Sequence, residues 1–64
     1  MIKFNNMRQR VEFAYDSLNT DIYYEGNYLY TVEDHNTDEV FEMLEEKQVD
    51  YVLNLIWKNS EPVE

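Results

Sequence analysis

The chain has 64 residues, no Cys, 44% hydrophobic and 16% aromatic residues, and a net charge of −9 from 14 acids against five bases. These numbers exclude disulfide staples and thiolate metal sites, and the hydrophobic and aromatic content argues against disorder. The acidic excess repels nucleic acid and anionic lipid, so direct DNA, RNA or membrane binding is not expected.

One small domain spanning 1–64 follows from the length. A domain of this size buries only about 60% of the surface of its unfolded chain, so folding alone and folding as an oligomer are both open. The start, MIKFNNMRQR, lacks the 7–15-residue apolar region of a signal peptide. No apolar run approaches the roughly 18 residues of a membrane span, and a cytoplasmic location is the default.

In chain order, Met1–Phe4 has the composition of a short strand. Asn5 or Asn6 can cap a helix, because the side-chain oxygen accepts an orphan backbone N–H. Met7, Val11, Ala14, Tyr15 and Leu18 then recur at helical spacing and predict one apolar stripe. Asn19-Thr20-Asp21 ends that helix with turn formers. The stretch DIYYEGNYLYTV reads as a β-hairpin, with Gly26 and Asn27 suited to positive φ. Two registers remain open. A three-residue loop, Glu25-Gly26-Asn27, puts Ile22, Tyr24, Tyr28, Tyr30 and Val32 on one face. A two-residue loop, Gly26-Asn27, puts Ile22, Tyr24, Leu29 and Thr31 there instead.

Beyond the hairpin, Asn36 with Glu39 resembles a capping box, with Thr37 as an alternative cap. Helix is expected across the next 20 or so residues, which contain neither Gly nor Pro. Val40, Leu44, Tyr51 and Leu55 form one stripe there; Val49, Val52, Leu53 and Ile56 form a second. Two stripes fit a long helix or a helix pair broken near Lys47-Gln48. The break is preferred, because a small core has little use for about 33 Å of straight helix. Pro62 closes the helical region, and 60–64 reads as a frayed end. The expected fold is therefore α+β: an N-terminal helix, a β-hairpin, then a C-terminal helix or helix pair.

Little in the sequence suggests catalysis. His35 is the only His, no Cys nucleophile exists, and one Gly cannot make a phosphate cradle. The carboxylates lie on segments that read as solvated, away from any cleft that would separate their pKa values. No enzyme and no cofactor are expected. Asp34, Asn36, Asp38, Glu42 and Glu45 fall at positions 1, 3, 5, 9 and 12 of a calcium-loop count, with Phe41 at position 8. Glu39 stands where that loop needs Gly, and a hairpin precedes it instead of a helix. An N-capped acidic helix accounts for the same residues, and no metal is expected, including at His35 with Glu39.

The charge pattern is the informative feature. From Val11 to Glu46 there is no Lys or Arg, while eleven of the 14 acids lie there. On a helical wheel Asp38, Glu39, Glu42, Glu45 and Glu46 share one third of the circumference, opposite Val40 and Leu44. Asp38 and Glu39 would gain from the helix dipole. The later acids would not, and like charges one turn apart cost roughly 0.2–0.5 kcal/mol per pair in a helix. Solubility alone is normally served by alternating signs, so an anionic working face is expected. Asp34, Glu25 and Asp16 extend it as secondary contacts. Phe13, off the first helix's apolar stripe, is either a second core contact or an aromatic anchor ringed by acids.

Size, absence of Cys, a Tyr-rich acidic composition, and runs such as Glu33-Asp34 and Asp38-Glu39-Val40-Phe41-Glu42 make the chain resemble the small acidic inhibitors of phages and mobile elements. These include uracil-DNA glycosylase inhibitors, antirestriction proteins and anti-CRISPR proteins of the DNA-mimic type. The resemblance is one of character, without a shared motif. It implies carboxylates spaced like phosphates, seated in a Lys/Arg-lined groove of a host protein that handles nucleic acid. Two other readings stand beside it: a homodimeric assembly domain using Tyr51, Ile56 and Trp57, and an antitoxin that neutralises a basic toxin.

Overall fold

A computed structural model describes residues 1–60. Its elements are α1 (Met7–Leu18), β1 (Thr20–Gly26), β2 (Leu29–Asp34), β3 (Glu39–Leu44) and α2 (Glu46–Ser60). The fold is α+β, as expected. The three strands form an antiparallel meander in the order β1-β2-β3. Both helices pack on one face of it.

Asn6 is extended and accepts a hydrogen bond from the Gln9 N–H at 2.9 Å, which starts α1. Asn19 ends the helix in the left-handed conformation (φ 52°), its N–H bonded to the Ala14 carbonyl. The helix turns Arg10, Ala14 and Leu18 inward. The expected stripe was rotated from this one: Val11 and Tyr15 are exposed. The core consists of Ala14 and Leu18 from α1, Val32 from β2, and Val49, Val52, Leu53 and Ile56 from α2. Phe4, Phe13, Ile22, Tyr30, Phe41 and Leu44 pack around it. The α2 residues are the second of the two predicted stripes.

The N-terminal segment is not a strand. Asn54 holds it instead, its Oδ1 accepting from the Ile2 N–H (2.6 Å) and its Nδ2 donating to the Ile2 carbonyl (3.0 Å). The hairpin follows neither predicted loop as written. Ile22 pairs with Val32 and Tyr24 with Tyr30, which keeps these four residues on one face as the longer loop would, but the pairing is offset by two residues from that register, and Gly26 pairs with Leu29. The turn is therefore Asn27-Tyr28, both at positive φ (54° and 62°), and Glu25 is the extra residue of a bulge.

The main correction concerns residues 38–45. They are not helical. Glu39–Leu44 is the third strand, and the helix begins only at Glu46, earlier than the preferred break. On β3, Val32 faces Phe41 and Tyr30 faces Leu44, so three steps on β3 match two on β2. The bulge, with Met43 at φ 58°, lets Phe41 and Leu44 both reach the core. An i, i+3 spacing that reads as helix is thus satisfied by a bulged strand. Asn36 caps no helix start. Its Nδ2 donates to the Leu18 carbonyl at 2.7 Å and so closes the end of α1. The cap of α2 is Glu45, whose N–H is accepted by Gln48 Oε1 at 2.8 Å. The predicted stop at Pro62 and most of the frayed end lie outside the described residues.

Candidate functional site

The helices leave one face of the sheet uncovered. Strand alternation assigns Asp21, Tyr23 and Glu25 of β1, Leu29, Thr31 and Glu33 of β2, and Val40 of β3 to that face. Glu42 and Met43 share the bulged place opposite Thr31, and both are exposed. The surface is bound together by hydrogen bonds across the strands. Tyr23 donates its hydroxyl to Glu33 (3.1 Å) and lies 3.5 Å from Asp21 Oδ2. Thr31 donates to Glu25 at 2.6 Å. His35 Nε2 sits 2.6 Å from Asp21 Oδ2, and His35 Nδ1 sits 3.9 Å from Glu33 Oε2.

The electrostatics follow from this arrangement. The hydrogen bond to Asp21 raises the His35 pKa above its usual value, helped by the nearby Glu33 and Asp38 charges and opposed by desolvation. The hydrogen bond to Glu33 likewise raises the Tyr23 phenol, because ionisation would set a second anion beside the carboxylate.

The nine acidic and aromatic residues singled out in the sequence are not one cluster. Asp38 and Glu39 are exposed at the β2–β3 turn and the start of the edge strand, and Glu42 is exposed on the bulge. Glu45 is the exposed cap of α2. Glu46 is partly committed inside the molecule, accepting from Arg10 Nη1 at 2.8 Å. Asp34 is buried and works within its own loop, accepting from the Asn36 N–H (2.9 Å) and Asn36 Nδ2 (3.1 Å). Glu25 lies on the open face; Asp16 is on α1, in the layer on the other side of the sheet. Phe13 is half-buried with its ring centroid 5.5 Å from that of Phe4, which favours the core contact over the aromatic anchor.

Spread along a strand, these carboxylates repel one another less than they would on a helix. Residues three apart on a helix have Cβ atoms about 5–6 Å from each other. Three strand steps separate them by about 10 Å. The one-turn repulsion expected of an acidic helix is therefore absent between Glu39 and Glu42.

Two structural features escaped the sequence reading. Arg10 is buried and forks onto both oxygens of Asp50 while reaching Glu46, which joins α1 to α2. Its partners lie 36 and 40 residues along the chain, so no local pattern marks it as internal. The Asp21–His35 contact has no local signal either, because it depends on strand register. The calcium-loop count fails on geometry: its last two acids lie on a strand and a helix cap, not on an exiting helix. Among the described residues no group of three or more His, Cys, Asp or Glu side chains is placed to hold a metal ion, and no helix is long and apolar enough to cross a membrane.

The alternative dimer residues also divide. Ile56 belongs to the core, whereas Tyr51 and Trp57 reach the surface, Tyr51 beside Leu55, Met1 and Lys58 around a shallow groove. No protein-family model, curated protein or solved structure matches the chain.

Proposed function

We propose that the chain is a non-enzymatic binding protein, of the kind that phages and mobile elements encode as inhibitors. Its acidic sheet face docks on a basic surface of a nucleic-acid-handling host protein, in the host cytoplasm, and keeps nucleic acid from that surface. One observation carries this reading. Residues 20–45, which make the whole sheet and its turns, contain eight carboxylates and no Lys or Arg. The basic residues lie elsewhere: Lys3 and Arg8 at the N-terminal end, Lys47 and Lys58 on α2, and Arg10 buried against its own acids. A single-sign surface of this kind steers an oppositely charged partner and fixes its orientation, while repelling nucleic acid and anionic membranes. Exposed Tyr23, Val40 and Met43, set among the acids, supply apolar contact area.

The test is capture from a bacterial lysate at about 50 mM and about 500 mM salt, across which surface attraction is strongly screened. It is repeated with added duplex DNA and with a Glu33→Lys, Glu42→Lys variant. Basic nucleic-acid-binding proteins should be held at low salt, released by salt and by DNA, and lost from the variant. An unchanged set on the variant refutes the reading. A second reading, a homodimer through the α2 surface, is favoured by the adjacent exposure of Tyr51 and Leu55. It requires a doubled mass in light scattering at every salt concentration.

A further inference from the structure

The two outer strands of the sheet differ. β3 is interrupted by its bulge and by Met43 at positive φ, devices that blunt an edge. β1 pairs with β2 without a break from Thr20 to Tyr24 and carries no Lys and no Pro. The His35 N–H donates to the Asn19 carbonyl at 3.2 Å, which phases the β1–β2 ladder. Antiparallel alternation then turns the backbone N–H and C=O of Ile22 and Tyr24 away from β2. Among the described residues no hydrogen bond from another segment reaches those groups.

We propose that this edge of β1 receives an extended, basic segment of a partner protein as a fourth strand. The inference rests on the acidic-face reading and names the way the partner docks. Main-chain bonds at Ile22 and Tyr24 would hold the segment, as in strand addition generally. Asp21, Tyr23 and Glu25 alternate on the open face, so Lys or Arg side chains on the incoming strand fit beside Asp21 and Glu25. The same acids select against a second copy of the chain. Antiparallel self-pairing centred on Tyr23 sets Asp21 of one copy against Glu25 of the other, and like charges directly opposite are unfavourable.

The probe is a peptide of about nine residues alternating lysine and valine, long enough to span the edge at about 3.3 Å per residue. A glutamate–valine peptide is the control. Amide exchange and chemical shifts are followed by NMR on the whole chain. The lysine peptide should slow exchange of the Ile22 and Tyr24 amides, while the glutamate peptide leaves them unchanged. Tyr24→Pro deletes an outward N–H without touching the ladder, and should weaken binding by about tenfold relative to Tyr24→Val, the loss of about one hydrogen bond. Should Tyr24→Pro not fold, an Asp21→Lys, Glu25→Lys variant should reverse the peptide preference. Equal binding by both Tyr24 variants, with shifts confined to Glu33 and Glu42, overturns the edge proposal and leaves the acidic face intact. No binding of the lysine peptide even at low salt overturns both.

Discussion

Replacing Arg10 by Met tests how the two helices are held together. The Arg10 side chain is only 8% exposed, whereas those of Asp50 and Glu46 are 34% and 57% exposed. Met keeps the apolar stem's volume and removes the guanidinium, so little cavity cost is added. The Glu46 arm resembles a surface pair and is worth about 0–1 kcal/mol. The Asp50 arm is two-pronged and charge-assisted, and it leaves a half-buried carboxylate behind when broken; about 2–3 kcal/mol is appropriate. The sum is about 2–4 kcal/mol. A core of this size rarely supplies more than about 3–5 kcal/mol. Arg10→Met should therefore be close to unfolding at room temperature.

Urea titration followed by circular dichroism measures the loss directly. With a slope of about 1 kcal/mol per molar urea, the midpoint should fall by about 2–4 M. Glu46→Gln should cost less than about 1 kcal/mol, as an exposed pair does. A double-mutant cycle between Arg10→Met and Asp50→Asn should return a coupling of at least about 1 kcal/mol. A coupling near zero, or an Arg10→Met loss below about 1 kcal/mol, would refute the view that this fork fastens α1 to α2.

Three further outcomes are expected. His35 has a folded-state pKa above the ordinary histidine value of 6.5, so its contribution is complete below that value and fades as the pH rises through the higher folded-state value. Urea midpoints of the parent chain and His35→Gln should therefore differ at about pH 6 and converge at about pH 9; a gap that widens with pH would contradict the Asp21 contact. Tyr28→Gly should stabilise the chain by about 1 kcal/mol, since Tyr28 is 83% exposed at φ 62° and glycine carries no penalty there. A lower melting temperature would show that its contacts outweigh the strain. Asn36→Ala should cost about 1–2 kcal/mol by removing one of the two donors to the Leu18 carbonyl, the other being the Thr20 hydroxyl, and by opening the β2–β3 loop; an unchanged urea midpoint would count against that role.

The parts of the fold that were legible from sequence are those governed by local chemistry. The Asn6 cap, the Asn19 stop and the hairpin depend on residues within a few positions of one another. The α2 core face was legible because four residues recur at helical spacing without interruption. The β3 segment misled for a definite reason. Its bulge puts Phe41 and Leu44 on one face at a spacing of three, the signature normally left by a helix. Glu45-x-x-Gln48 was a legible start signal for α2, and reading it would have ended the helix before β3. Arg10 could not be placed, because the feature that makes it internal is a pair of acids 36 and 40 residues away. The site fared similarly: the acidic segment was visible, but its shape depends on strand pairing that sequence alone left open.

Acids at an exposed strand edge serve two purposes that are usually considered apart. A short chain with a marginal core has little stability to spare, and an open edge invites pairing with its own copies. Lys, Pro or a bulge would guard against every newcomer. Asp21 and Glu25 guard selectively: they oppose another β1, which carries the same charges, and admit a strand with the opposite ones. β3, carrying both a bulge and acids, is guarded against both. The bulge of β1, at Glu25, lies at its hairpin end and leaves Thr20–Tyr24 regular, whereas that of β3 interrupts the strand between Phe41 and Leu44; this asymmetry is what a binding edge requires, since solubility alone would be served by blunting both outer strands alike. Introducing Lys at Tyr23 on β1 should therefore leave the chain monomeric in light scattering while lowering its affinity for the lysine peptide; monomer behaviour with unchanged affinity would reduce the acids on β1 to a solubility device.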